Sequence, residues 1–199
     1  MNRSSLALVL FCSLLPFCSL LASAQNQTTA PAQTTTQSAA RPQAGPAQTS
    51  DRWAAWQPFL GVWQGSGSGQ PGQGAGEFTF APELQGAVLV RHNYAEYPAT
   101  KDKAAYRHDD LMVIYLSGNE TRADYWDNES HVIHYVVELS SGKLVLVSDS
   151  AQPGPHFRLT YTKAAGDDAL KITFEIAPPN DPTAFQTYIE ASAKRKPLP

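Results

Sequence analysis

From residue 60 onward, short apolar runs alternate with clusters of turn-forming residues. The runs are rich in Val, Ile, Thr and aromatic residues, and they recur at the spacing of about 8–12 residues that is typical of antiparallel all-β domains. Within several runs apolar and polar positions alternate: Leu170 and Ile172 share one face, and Lys171 lies on the other. The pattern predicts ten strands, at about 60–68, 75–81, 87–97, 109–116, 121–127, 131–139, 143–149, 156–163, 169–177 and 185–195.

Strict alternation means that each strand has one buried face and one face in water. The connections are short hairpins without a long crossover, so they favour an all-β, antiparallel up-and-down barrel, which also removes exposed sheet edges. A barrel of this size can enclose one small ligand. Before the first strand, residues 51–56 predict a short N-terminal helix, capped by Ser50 or Asp51 and ended by Pro58.

The first 24 residues have the pattern of a secretory signal peptide. Arg3 provides the positive charge, residues 6–21 form an apolar core, and Ala22-Ser23-Ala24 is a small-residue cleavage site. The chain is therefore predicted to be exported, to a periplasm or an extracellular space. No later stretch approaches the ~18–20 apolar residues of a membrane helix, so the mature chain is predicted to have no transmembrane segment.

Both cysteines of the chain lie within this leader. Lipidation at Cys18 is disfavoured, because the bulky Leu15-Pro16-Phe17 precede it where a lipoprotein has small residues. Cleavage after Ala24 removes Cys12 and Cys18, so the predicted mature chain has neither a disulfide nor a thiolate site.

Residues 25–50 form a Gln/Thr/Ala/Pro-rich segment, which predicts a disordered tether in front of the domain at 51–199. That domain holds all 18 acidic residues and all of the 15 basic residues except Arg3 and Arg41, for a net charge of −5. Nucleic-acid binders need a clustered basic face, so this class of function is disfavoured.

Few residues of the domain form a pattern associated with catalysis. The stretch 67–72 satisfies G-x-G-x-x-G, but a strand follows it rather than a helix, which predicts a hairpin loop. His131 and His134 would point to opposite sides of a strand, and the parity of His134 predicts an interior histidine. The residues at 108–110 predict a solvated turn. Without a nucleophile elbow or a metal cluster, an enzyme is disfavoured and no metal is expected.

The opening of the first strand carries a family resemblance. Phe59-Leu60-Gly61-Val62-Trp63-Gln64-Gly65 is similar to the G-x-W start of calycin and lipocalin-like barrels, and more closely to the opening of nitrobindin-type domains related to fatty-acid-binding proteins. Residues 111–115 and 123–128 are also similar to a family of bacterial secreted calycin-like proteins. The resemblance implies that Gly61 and Trp63 plug one end of the barrel, with Arg195 packed over the indole. It also raises haem and NO binding, with Tyr188 standing where the nitrobindin pattern has its haem-ligating histidine. Tyr188 shares the parity of the polar positions 186, 190, 192 and 194, which predicts a solvent-facing side chain.

The favoured function is an exported, monomeric barrel that binds a small apolar or amphipathic molecule without a cofactor. The alternatives are a haem- or NO-binding barrel and a tethered envelope interaction module whose barrel is packed solid. Candidate ligand-binding residues are polar and aromatic side chains on separate strands: Arg91, His92, Tyr94, Tyr115, Trp126, His134, Tyr161 and Phe174. Which of Arg91 and His92 points inward depends on strand register and stays open.

Overall fold

The structure, a computed structural model, describes residues 52–149, 154–163, 166 and 168–197. The predicted signal peptide at 1–24 and the predicted tether at 25–50 lie outside these residues. Within them, no helix is long and apolar enough to cross a membrane.

The all-β prediction is confirmed. Ten antiparallel strands form a closed barrel in which each strand pairs with its neighbours in sequence and β1 pairs with β10. The predicted strand limits differ from the observed ones by at most three residues. The strands are β1 (Gly61–Gly69), β2 (Gly74–Glu83), β3 (Val88–Tyr97), β4 (Tyr106–Ser117), β5 (Glu120–Asp127), β6 (Val132–Ser140), β7 (Lys143–Ser148), β8 (His156–Lys163), β9 (Ala169–Ala177) and β10 (Gln186–Arg195).

Of the predicted N-terminal helix at 51–56, the described residues show a three-residue 3₁₀ turn, Ala54–Trp56. The predicted caps Ser50 and Asp51 lie outside the described residues, and no side chain caps the turn itself. Burial of indole rings holds the segment instead. Trp53 and Trp56 are almost fully buried and pack edge to face, and Trp53 Nε1 donates a hydrogen bond to the Gly86 carbonyl at 2.8 Å.

The N-terminal turn covers one end of the barrel, here called the closed end. Trp63 lies there without solvent exposure, stacked on Phe78 at 6.3 Å between ring centroids, and its Nε1 donates to the Phe59 carbonyl at 2.8 Å. The Arg195 guanidinium carbon lies 4.3 Å from the centroid of a Trp63 ring. Gly61 has φ of +111°, and a Cβ there would come within 2.8 Å of Arg195 Nη1. This end is thus closed by aromatic packing around one indole.

Strand alternation decides which side chains reach the barrel interior. In an up-and-down barrel the odd strands begin, and the even strands end, at the same end. At the closed end the inward positions hold large apolar side chains, including Phe80, Leu89, Met112, Ile114 and Leu144, all at most 1% exposed. Towards the other end, the open end, the inward positions become glycine, polar residues and partly exposed aromatic residues. The site described next lies in this half.

Candidate functional site

The open half of the barrel contains a cavity of about 410 Å³. This volume lies in the range of about 300–1,000 Å³ typical of small-molecule sites. Its wall on β1 and β2 is nearly bare backbone, because Gly65, Gly67 and Gly76 stand there. Gly67 faces Ala191 so closely that a Cβ would come within 2.5 Å of the alanine methyl group. Because these glycines have no side chains, part of the cavity volume lies directly over their backbone.

One wall of the cavity is apolar. Phe157 on β8 and Phe174 on β9 stack nearly parallel with their ring centroids 5.9 Å apart. The other members of this wall come from β8, β9 and β10: Leu159, Ile172, Ile176 and Ala191. These side chains offer dispersion contacts and no hydrogen-bonding groups, so they suit the hydrocarbon part of a ligand.

The wall on β3 and β4 is polar and internally paired. Arg91 forms an ion pair with Asp110, whose side chain is 4% exposed, and Asn93 Nδ2 donates to the same carboxylate at 2.7 Å. Burial is the largest single effect and would lower the pKa of Arg91, but the charge of Asp110 and the neighbouring tyrosines together outweigh it, and the pKa is raised. Arg91 therefore stays charged inside the barrel, and its charge is neutralised by the protein itself.

His108 extends this network towards the open end. Its Nε2 lies 3.4 Å from Asp110 Oδ2 and 3.1 Å from the Tyr125 hydroxyl, and its Nδ1 lies 3.0 Å from Glu129 Oε1. The hydrogen bond to Asp110 is the largest cause that raises the pKa of His108 to about 9, against partial burial and with help from Glu129. The ring is therefore an imidazolium at neutral pH, held between two carboxylates.

Asp127 ends the polar wall on β5. Its Oδ1 accepts hydrogen bonds from the Glu129 and His131 amides, each at 2.9 Å, and its Oδ2 lies 2.8 Å from His131 Nδ1. Burial would raise the pKa of Asp127, but these hydrogen bonds lower it below the ordinary value. Asp127 is thus a saturated, ionised acceptor that shapes the turn between β5 and β6.

The open end of the cavity is bordered by three tyrosines from different strands. Tyr97 and Tyr106, paired across β3 and β4, stack at 4.6 Å with an interplanar angle of 6°. Tyr188 on β10 packs edge to face against Phe174. Glu129, an exposed residue, adds a carboxylate to this border. We call Tyr97, Tyr106, Tyr188 and Glu129 the rim.

The candidate ligand-binding residues from the sequence fall into two groups. Arg91 and Phe174 line the cavity, while Tyr161 is fully buried beneath it against Phe78 and Phe80. The remaining candidates lie on the outer face of the barrel: His92, Tyr94, Tyr115, Trp126 and His134. The register therefore resolves the alternative on β3, with Arg91 inward and His92 outward, 3.5 Å from Glu83.

Two of the outward residues show the surroundings of the outer face. The Arg107 guanidinium carbon lies 4.1 Å from the centroid of the Tyr94 ring, and Trp126 is 39% exposed to solvent. His134 was expected inside, which was wrong, because the inward positions of β6 are Ile133 and Tyr135. His134 pairs with Asp124 on the surface.

Two further expectations about orientation were wrong. The predicted solvated turn at 108–110 is part of β4, and Asp110 is a buried ion-pair partner. Tyr188 shares sequence parity with the outward residues of β10, yet it lines the cavity. The pairing of β10 with β9 shifts by one residue between Thr187 and Ile189, and this β-bulge separates Tyr188 from the outward series.

Sequence reasoning missed most of the polar wall and rim: Asn93, Tyr97, Tyr106, His108, Asp110, Asp127, Glu129 and His131. A signal for part of it was present. Met112 and Ile114 are the apolar positions of β4, and continuing their alternation backwards assigns Asp110 and His108 to the interior. Across the described residues, no group of three or more His, Cys, Asp or Glu side chains could hold a metal ion.

A second, shallower depression of about 480 Å³ lies on the outer face of β2 to β5. It contains His92, Leu111 and Trp126, which neighbour one another across β3, β4 and β5. Ion pairs such as Arg107–Asp109 border it. This depression lies open to solvent, unlike the cavity between the two walls.

Comparisons with known proteins leave the fold as the basis for functional reasoning. No protein family profile matches the chain, and no curated protein matches it. Among solved structures, a de novo designed fluorescence-activating β-barrel aligns with 71% of this chain and 97% of its own, at 12% identity and a TM-score of 0.36. A likeness this distant carries no argument about the site.

Proposed function

We propose that the domain is a binding protein that takes one small amphipathic molecule into the barrel interior. The observation that supports this proposal is the cavity of about 410 Å³, which has an apolar wall on β8–β10 and a polar wall on β3–β5. An apolar pocket with a few convergent polar groups is the usual form of a small-molecule site. A solid interior, which the envelope-module alternative requires, is not what this barrel has.

The polar wall favours binding without chemistry. Arg91, Asp110 and His108 are each engaged by neighbouring protein groups, so no one of them stands as an isolated base or nucleophile against the cavity. Their arrangement instead offers fixed charges and hydrogen-bonding groups to the polar end of a ligand. Shape and polarity select the ligand in such a site.

The test uses protein refolded from denaturant, so that carried ligands are removed, and the neutral probe N-phenyl-1-naphthylamine. We expect saturable one-to-one binding with increased probe fluorescence. Ala191→Phe places a ring into the cavity from β10, and we expect it to weaken binding by at least about tenfold through loss of volume. Ser192→Phe, the next residue on the outward face, is the matched control.

Two outcomes would contradict the proposal. One is the absence of saturable binding of the probe together with no captured apolar molecule in native mass spectrometry of the protein as purified. The other is equal probe binding by Ala191→Phe and Ser192→Phe, because the binding site would then lie outside the barrel.

Haem is the second candidate, in line with the nitrobindin-type resemblance of the first strand. The observation that favours it is the inward position of Tyr188, since a tyrosinate can ligate ferric haem. Titration with haemin should then give a one-to-one shifted Soret band that Tyr188→Phe abolishes. A spectrum identical to that of free haemin would contradict haem binding and leave the amphipathic ligand as the candidate.

Residues 1–24 support export of this binding domain to a periplasm or an extracellular space, and we propose a monomer. Edman sequencing of protein recovered from outside the cytoplasm should begin at Gln25, and size-exclusion chromatography with light scattering should give a single-chain mass. An intact Met1 on the recovered protein would contradict cleavage of the leader.

A further inference from the structure

The cavity lining is richer in carboxylates than in fixed cations. Among its described residues, the carboxylates are Asp110, Asp127 and Glu129, whereas Arg91 is the one guanidinium and no lysine is present. Arg91 neutralises Asp110, and the imidazolium of His108 compensates Glu129. The third carboxylate, Asp127, lies with its Oδ2 2.8 Å from His131 Nδ1. Arg91, the one fixed cation of the described lining, is engaged by Asp110, so the lining offers a ligand more carboxylates than fixed cations.

The rim adds aromatic surface beside these carboxylates. Tyr106 stacks on Tyr97 with one face, and 39% of the residue is exposed. Burial raises the pKa of Tyr97 to about 12 and raises the pKa of Tyr106 as well, with Glu129 and Tyr188 contributing to both. The two rings therefore stay neutral at physiological pH, and the electron-rich faces of neutral tyrosines attract organic cations.

Glu129 supplies a carboxylate at the same place. Its Oε1 lies 3.0 Å from His108 Nδ1, and half of its side chain is exposed at the open end. Its negative charge contributes to the raised pKa of both rim tyrosines on β3 and β4, and all three residues line the same cavity. Aromatic rings and a carboxylate grouped around an opening are the chemistry that recognises ammonium groups.

We propose that the ligand is an amphipathic organic cation of the alkylammonium class, with its charged head at the rim between Tyr106, Tyr188 and Glu129. This inference rests on the proposed function and specifies the ligand of the same cavity. The hydrocarbon part lies deeper, along Phe174, Ile172 and the rest of the apolar wall. The ion pair of Arg91 with Asp110 forms the polar wall beside it and needs no counterion from the ligand.

The experiment compares three probes of equal chain length below their micellar concentrations: decyltrimethylammonium, 1-decanol and decyl sulfate. Each displaces N-phenyl-1-naphthylamine from the refolded protein at low ionic strength. We expect the cation to compete at a concentration about tenfold or more below that of the sulfate, and to lose this advantage as salt is added. The alcohol should fall between them and show no salt dependence.

Variants at the rim separate charge from shape. Glu129→Gln should weaken decyltrimethylammonium about fivefold and leave 1-decanol unchanged, because the amide keeps the size of the side chain and removes its charge. Glu96→Gln is the matched control, since Glu96 pairs with Arg107 on the outer face of β3. Tyr106→Leu should weaken the cation more than the alcohol.

The outcomes distinguish this inference from the proposed function. If the naphthylamine probe does not bind, both fail. If it binds and decyl sulfate or 1-decanol competes as well as the cation, the cation proposal is overturned while the binding function stands. Equal losses for the cation and the alcohol in Glu129→Gln would also overturn it, because Glu129 would then act only through the shape of the rim.

Discussion

The two ends of this barrel are built from the same ten strands with the same alternation, yet their inward positions differ. The closed end is filled by large rings, with Trp63 and Phe59 both at 0% exposure and Arg195 over the indole. The open end carries glycines on β1 and β2, and paired charges on β3 and β4. The aromatic packing and the cavity are therefore separated along the barrel axis.

The barrel contains a cavity although its sheet is closed by hydrogen bonds. The sheet is hydrogen-bonded around the full circumference, including Trp63 opposite Arg195 at the seam between β1 and β10. Backbone pairing therefore persists where the side chains do not fill the interior. The aromatic packing around Trp63 lies at the end opposite the cavity.

The largest effect is expected from breaking the closed end. Trp63→Ala removes a buried indole that stacks on Phe78 and bonds the Phe59 carbonyl, and should lower the free energy of unfolding by about 4 kcal/mol in urea titrations. Trp126→Ala, on the outer face and 39% exposed, is the matched control and should cost less than about 1 kcal/mol. Similar losses for both variants would mean that the closed end is no special source of stability.

The polar wall should respond to unpairing of its charges. Arg91→Met leaves the carboxylate of Asp110 buried without its main partner, and we expect a loss of about 3 kcal/mol in the same urea titration. The double variant Arg91→Met/Asp110→Asn removes both charges and should recover at least half of that loss. If the double variant is as unstable as the single one, burial of an unpaired charge is not the cause.

The fold could be predicted because alternation and turn chemistry are local properties of the sequence. The run 169–177 alternates strictly, and the observed β9 has those limits. The strands follow one another around the barrel in chain order, as the prediction of sequential hairpins requires. Neither inference needs knowledge of register.

The candidate site could be predicted only in part, because a shift of one residue reverses every side chain of a strand. His134 was predicted to face inward because it alternates in step with the apolar Val132 and Val136. The inward positions of β6 are instead the odd-numbered ones, which include the buried Ile133. The bulge before Ile189 has no clear mark in the sequence, so Tyr188 was assigned to the wrong face. The pairing of Arg91 with Asp110 depends on two strands meeting, which residue patterns within one strand do not specify.

A smaller effect should appear as pH dependence of the polar wall. The pKa of His108 is raised to about 9 by the hydrogen bond to Asp110, against partial burial and with help from Glu129. This stabilisation is fully present below the unfolded value near pH 6.5 and is lost as pH rises through about 9. Allowing for partial exposure, we expect a loss of about 2 kcal/mol across this range.

Urea titrations at pH 6 and pH 9.5 measure this loss, and His108→Gln should flatten the pH dependence while lowering stability at pH 6. His92→Gln is the matched control, because His92 lies on the outer face with most of its side chain exposed. An unchanged pH profile in His108→Gln would show that another group causes the loss.

The smallest effect is expected at the boundary between the two ends. Tyr161 lies there, fully buried between the aromatic cluster and the cavity. Among the described residues, its hydroxyl has no hydrogen-bond partner, and burial is the main cause that raises its pKa to about 12. Tyr161→Phe keeps the ring contacts with Phe78 and Phe80 and removes a hydroxyl that is buried without a hydrogen bond. The free energy of unfolding should therefore stay equal or rise by up to about 1 kcal/mol. A loss above about 1 kcal/mol would instead mean that the hydroxyl bonds Arg91 in solution, which would extend the polar wall of the open end into the packed core.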